Sequence, residues 1–255
     1  MNPSAPLDLD WLRRRMPDRE IHWLAITGST MTVAARLSAD GAASGTVVVA
    51  EEQTAGKGRA GHFWHSESAS GLYLTLILRP HNLGDSLPLL TLATGLAVKE
   101  AVESIVGVAA DLKWPNDLLI EGKKAAGILL TYDSGAVLAG IGINVNHTRF
   151  PAEIASLATS LRLTGRRELS REPLLVRVLE GVERHAALLE ESGPRAILDA
   201  FTQASSYVTG KRVTVELDGH EVTGATAGLD DRGFLLIRTD TGQLVTILAG
   251  GVRAL

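Results

Sequence analysis

Two different hydrophobic rhythms in one chain predict an α+β protein, a mixed-sheet body followed by a small barrel-like β tail. Up to about residue 206, apolar strand-like runs such as the β-branched 46–50 and the leucine-rich 72–78 alternate with stretches of helical period such as 87–105. From Lys211 onward the pattern changes to short alternating strands punctuated by Asp218-Gly219, Asp231-Arg232-Gly233 and Thr241-Gly242. No period of roughly 20–50 residues marks a repeat protein.

The elements follow in order. Residues 8–16 suit a short polar helix, whose consecutive Arg13, Arg14 and Arg15 read as a solvated face. A strand at 21–26 runs into the polar turn Thr27-Gly28-Ser29-Thr30, where Ser29 or Thr30 suits an N-cap for a helix over 31–37. The buried strand 46–50 opens a loop rich in Gly, Lys, Arg, His and Ser, and a second strand spans 72–78. The helix at 87–105 has Ser86 as its N-cap and Pro88 in its first turn. Then come strands at 111–114, 118–120, 125–131 and 137–145, with turns at Pro115-Asn116-Asp117 and Glu121-Gly122-Lys123. Helices return at 173–189 and 194–204, and tail strands gather around Val213, Val215 and Leu217, Val222, 234–237 and 244–248.

Composition narrows the function. Apolar residues make up 45% and charged residues 21%, an ordinary globular mixture. A net charge of −4 argues against a general electrostatic grip on nucleic acid or anionic membrane. No apolar run approaches the ~20 residues of a membrane helix. Residues 1–10 lack the basic and apolar regions of a signal peptide, so a cytoplasmic location is expected. The absence of cysteine excludes a disulfide framework, a thiolate metal site and a cysteine nucleophile. The seven histidines, at 22, 62, 65, 81, 147, 185 and 220, show no metal-ligand spacing, so no metal site is expected.

Gly56-Lys57-Gly58-Arg59-Ala60-Gly61 has the spacing of a dinucleotide loop but the wrong context. The third glycine opens no helix, and residues about 20 positions on are apolar or hydroxylic rather than acidic. A Walker A loop fails because Gly58, not Ser or Thr, follows Lys57, and no kinase-like strand follows either. What remains is a glycine-rich loop with two cations, suited to a phosphate-bearing ligand or, more simply, an exposed basic tip. Phe63 and Trp64 favour the ligand reading, since a solvated tip avoids large apolar groups and an indole offers a face to a purine. Lys113 ends a strand before a Pro-Asn turn, which places its ammonium at the rim of the sheet. Asn116 and Asp117 read as ordinary turn residues bonding their own backbone.

Together these segments resemble the biotin protein ligases. Residues 53–64, Gln-Thr-Ala-Gly-Lys-Gly-Arg-Ala-Gly-His-Phe-Trp, are similar to the family's adenylate-binding loop. Lys113-Trp114-Pro115-Asn116-Asp117 resembles its catalytic lysine motif. Lys124-Ala125-Ala126-Gly127-Ile128-Leu129, Gly140-Ile141-Gly142-Ile143-Asn144-Val145-Asn146 and Gly28-Ser29-Thr30 match three further family segments. The resemblance covers residues 21 to 255. Three departures stand out. Lys57 replaces an arginine and loses the planar fork, Met31 replaces an amide side chain, and His62 replaces another arginine.

The resemblance implies a short helical leader (1–20), a catalytic domain of the class II synthetase and biotin/lipoate ligase type (21–206) and an SH3-like β domain (207–255). It implies that biotin and ATP, the latter with Mg²⁺, form biotinyl-5′-AMP. Biotin then passes to a lysine of the biotin carboxyl carrier domain of acetyl-CoA carboxylase or a related carboxylase. Lys113 and Arg59 are the implied catalytic residues. Ser29, Thr30 and Gln53 address the biotin ring, Gly140 and Gly142 line its slot, and Gly56, Lys57, Gly58 and Arg59 enclose the adenylate. Trp64 and Asn144 are expected at the adenine, with a core-anchor role for Trp64 equally open, and Lys124 reads as an exposed hairpin lysine. About 20 residues before the first catalytic strand are too few for a helix-turn-helix, so no specific DNA binding is expected. A related lipoate ligase is disfavoured by the Lys-Trp-Pro-Asn-Asp segment. The alternative left by Lys57 and Met31 is a catalytically weak biotin-binding or sensing protein on a ligase scaffold, and oligomeric state stays open.

Overall fold

A computed structural model describes residues 5–81, 86–217 and 220–255, so the turn expected at Asp218-Gly219 lies outside the described residues. The first half of the body contains α1 (Leu9–Arg15), β1 (Ile21–Thr27), α2 (Thr30–Ala39), β2 (Val47–Gln53), β3 (Gly71–Leu78) and α3 (Leu87–Val106). The second half contains β4 (Asp111–Lys113), β5 (Asp117–Ile120), β6 (Lys123–Asp133), β7 (Ala136–Asn144), α4 (Leu161–Gly165), α5 (Arg171–Ser192) and α6 (Pro194–Ala204). The tail contains β8 (Thr209–Leu217), β9 (His220–Leu229), β10 (Leu235–Thr239), β11 (Leu244–Ile247) and β12 (Val252–Ala254).

Local chemistry sets the boundaries. Asp8 caps α1 by accepting from the Trp11 amide at 2.9 Å, and Pro88 sits in the first turn of α3. Gly107, at φ 72°, ends α3 in the left-handed conformation that a Cβ disfavours. Two elements were not expected from sequence. The five-residue α4 is too short to show a helical period, and is held by Ser160, whose hydroxyl accepts from the Leu163 amide at 3.1 Å. The three-residue β12 exists by pairing with β8, Val252 opposite Val215, a contact that local pattern does not encode.

Seven strands form one mixed sheet in the order β1-β2-β3-β7-β6-β5-β4, where only β1 and β2 pair in parallel. Alternation along the strands divides the core. Val47, Val49, Leu72, Leu74 and Leu76 face the main core with α3 and α5, while Val48 and Ile77 pack with Met31 and Ala34 of α2 on the other side. The short α2 leaves part of that second face, over β7 and β6, for the glycine loop and a pocket.

The leader and the tail are both tied to this body. Leu7, Leu12 and Met16 belong to the main core. Glu51 is buried in an ion pair with Arg171 at 2.7 Å and accepts from the Leu7 amide at 2.8 Å. The five tail strands form an antiparallel sheet in the order β11-β10-β9-β8-β12. Trp114 donates from Nε1 to the Gly233 carbonyl at 2.9 Å, fastening this sheet beside the Lys113–Asp117 segment. No helix among the described residues is long and apolar enough to cross a membrane.

Candidate active site

The glycine loop folds back on itself as a tight hairpin. The Trp64 amide donates to Gly56 at 2.9 Å and the Gly58 amide donates to His62 at 2.7 Å, with Lys57 paired antiparallel to Phe63. Ala60 and Gly61, at φ 52° and 76°, make the tip. A Cβ on Gly56 would stand 2.6 Å from the Trp64 carbonyl oxygen, so the hairpin closes only over glycine. Strand alternation then sends neighbouring rings opposite ways. Phe63 is 62% exposed, whereas Trp64 turns inward.

Trp64 lands on a floor of glycines. Gly127 and Gly142 are cross-strand partners, and a Cβ on either would lie 2.7 or 2.4 Å from the indole. Gly140, two residues along β7, lies under the thioether of Met31 in the same way. Between this floor and the hairpin lies an open pocket that Ser29, Thr30, Gln53 and Arg59 also line.

One wall is polar and mostly self-satisfied. Thr75 donates to the Thr30 hydroxyl at 2.9 Å, Thr30 donates to Gln53 Oε1 at 3.1 Å, and Gln53 donates from Nε2 to Ser66 at 3.3 Å. Two groups in the pocket stand outside this network. Ser29 Oγ and Trp64 Nε1 are buried and have no hydrogen-bond partner among the described residues. Buried donors of this kind cost free energy unless something binds them.

The other wall is cationic. Lys57, Arg59 and Lys124 line it, and no carboxylate among the described residues does. Arg59 donates from Nη1 to Asn116 Oδ1 at 3.1 Å, while Asn116 donates to the Ile128 carbonyl at 2.9 Å. Burial pulls the Arg59 pKa below its usual value, opposed by the charge of Asp117. Lys124 lies 5.5 Å from the Trp64 ring centroid and pairs with Asp117 at 2.6 Å. These contacts correct three sequence readings: Asn116 and Asp117 hold the cations Arg59 and Lys124, and Lys124 lines the pocket. Asp117 can be paired in this way because it lies opposite Lys113, on a hairpin that brings Lys124 alongside.

Residues 23–147 match the biotin/lipoate A/B protein ligase family, and residues 208–252 match the biotin protein ligase C-terminal domain. The biotin–[acetyl-CoA-carboxylase] ligase of Mycobacterium tuberculosis is 35% identical over 240 residues, covering 92% of this chain and 88% of that protein. The chain belongs to the biotin protein ligase family. The Paracoccus denitrificans biotin–[acetyl-CoA-carboxylase] ligase is 33% identical over 232 residues, covering 87% of this chain and 95% of that one. The solved Aquifex aeolicus biotin protein ligase in complex with biotin and ATP superposes with a TM-score of 0.82 at 32% identity, covering 92% of this chain and 98% of that one.

Of the residues expected at the ligase site, all but Gly56, Lys113 and Asn144 line the pocket. Gly56 acts one step back, at the base of the hairpin. Asn144 is buried and donates its amide hydrogens to the Thr159 and Lys124 carbonyls, at 3.0 and 3.4 Å, which braces the Lys124 backbone. Lys113 is half-buried beside the pocket, with Nζ 5.9 Å from the Tyr207 ring centroid. Burial lowers its pKa, Asp117 raises it and Lys124 lowers it. Among the departures, Met31 is buried over Gly140, Lys57 keeps its place in the cationic wall, and His62 is exposed at the tip.

Proposed function

We propose that this chain activates biotin with ATP and transfers it to a lysine of the biotin carboxyl carrier domain of acetyl-CoA carboxylase or a related carboxylase. A single observation carries the reading for these residues. The pocket offers two idle donors, Ser29 Oγ and Trp64 Nε1, facing the cations Lys57, Arg59 and Lys124, of which only Lys124 is paired with a carboxylate among the described residues. A ligand with a neutral acceptor at one end and anions at the other matches both sides. Biotin's ureido group and its adenylated carboxylate have that form.

In the first step a carboxylate oxygen of biotin attacks the α-phosphorus of ATP, and pyrophosphate leaves with the bonding pair. Two anions must meet, so cations at the forming bond dominate the stabilisation. Lys113 neutralises the carboxylate and phosphate oxygens, while Arg59 and Lys57 close over the adenylate. Magnesium accompanying ATP would supply further positive charge at the phosphates, and no carboxylate among the described residues lines the pocket to hold it. In the second step a neutral lysine amine of the carrier attacks the acyl carbon. AMP leaves, and the amide nitrogen sheds a proton. Gly140 and Gly142 let Met31 and Trp64 lie close on β7 and so shape the slot for the fused rings, while Gln53 fixes Thr30 beside Ser29. Lys124, steered by Asp117 and Asn144, joins the cations at the phosphate.

The test is ATP-dependent transfer to a carrier domain, read by intact mass and pyrophosphate release, with Lys113→Ala as control. A gain of one biotin, lost in the variant, is the expected result. Biotin binding without pyrophosphate release would favour the sensing alternative.

A further inference from the structure

Outside the pocket, three side chains converge that the ligase reaction does not use. One ligand atom each from His65, Glu67 and His147 lies within 4.8 Å of the others. Their backbones are fixed independently of any ion. The Asn146 amide donates to Ser70 at 2.6 Å, Gly71 pairs with Asn144, and Ser160 donates to the His147 carbonyl at 2.6 Å.

Hydrogen bonding sets the tautomer of His147. The Tyr73 hydroxyl has one proton and donates it to the Glu67 carbonyl at 2.9 Å. The same oxygen lies 3.1 Å from His147 Nε2, so there it accepts, and Nε2 carries the hydrogen. Nδ1 is therefore left with a lone pair. His147 is fully buried, its ring is stacked on Phe150 at 5.2 Å, and Nδ1 has no partner among the described residues. A neutral imidazole whose second nitrogen donates to a fixed oxygen is the usual arrangement of a metal ligand.

We infer that His65, Glu67 and His147 form a binding site for a divalent transition-metal ion. Two imidazoles and one carboxylate select a borderline ion of the zinc type over calcium or magnesium, with water completing a tetrahedron. The ion would clamp the end of the loop return to the end of β7. Because His65 follows Trp64, and Ser66 holds Gln53, the clamp would steady one wall of the pocket without entering it. The inference does not depend on the ligase reading.

The test uses the full chain, stripped with chelator, then titrated with Zn²⁺ by calorimetry and with Co²⁺ by visible absorption. One ion per chain, with tetrahedral cobalt bands and a raised Tm, is expected. His65→Ala and Glu67→Gln should each weaken binding at least tenfold, on the order of the loss of a single metal-site group, whereas His22→Ala should leave it unchanged. His65 and Glu67 are the more exposed members, so these variants avoid the packing defect that His147→Ala would introduce. Absence of binding, or binding unaffected by both substitutions, would overturn the inference.

Discussion

The carboxamide oxygen of Gln53 accepts from both the backbone amide and the hydroxyl of Thr30, at 2.8 and 3.1 Å. A side chain from β2 thus satisfies the first turn of α2, while Ser29, the residue at the N-cap position, makes no capping bond. The exchange leaves the Ser29 hydroxyl buried, idle and directed to the pocket. Stability and binding should therefore separate. Ser29→Ala should change stability by less than about 0.5 kcal/mol, since no bond is lost, yet weaken biotin by roughly tenfold, the loss of one ligand hydrogen bond. Gln53→Ala should lose both, with about 1 kcal/mol from the helix start. Thermal melts and calorimetry on the pair would decide it. Equal destabilisation in both variants would mean that Ser29 is structural.

Gly142 exists for Trp64. A Cβ there would stand 2.4 Å from the indole, too close for any small adjustment of the neighbour. Gly142→Ala should cost about 1–3 kcal/mol as overpacking and displace the ring, with weaker biotin binding and an altered tryptophan emission. Adding Trp64→Leu should recover most of the stability but not the binding. Near-additive stability losses in the double variant would refute the contact.

The pattern of strands and helices was readable because most elements carry their own period and caps. The exceptions have local causes: α4 is shorter than two turns, and β12 is defined only by its partner. The pocket was readable where motif and contact coincide, as at Gln53, Arg59 and Gly140. It was misread where a polar residue's partner lies far along the chain. Asn116 looked like a turn residue because its partner, Arg59, is 57 positions away. Lys124 looked exposed because the Trp64 ring and the Asp117 carboxylate reach it only through the folded hairpin. His65, Glu67 and His147 showed no ligand spacing because β3 and β7 bring them together.

Arg59 links the glycine hairpin to the catalytic segment through Asn116. In the proposed reaction this link would hold the hairpin over the adenylate, because an acyl-adenylate left open to water hydrolyses or escapes. Arg59→Ala should still release pyrophosphate but leak activated biotin, labelling bystander proteins such as albumin in a ligase assay. Asn116→Ala should leak as well, less severely, because the guanidinium remains. Unchanged selectivity with normal turnover in Arg59→Ala would remove the hairpin from this role.

Lys113 can neutralise oxygens only as an ammonium. Lys113→Ala should lose on the order of 10²–10³ in rate, as for one transition-state donor. Its pKa sits below the ordinary 10.5 because burial disfavours the charged form, Asp117 pulls it back up and Lys124 presses it down. The protonated fraction, and with it kcat, should therefore fall with rising pH earlier than an exposed lysine would allow. Asp117→Asn removes the opposing anion, so the alkaline limb should move to lower pH. Lys124→Gln removes a like charge and frees Asp117, so the limb should move to higher pH even if KM worsens. Lys113→Arg should abolish the limb, because a guanidinium stays protonated throughout. The opposite displacements of the first two variants distinguish electrostatic control of Lys113 from a general loss of structure. An alkaline limb that stays in place in both would assign that titration to another group.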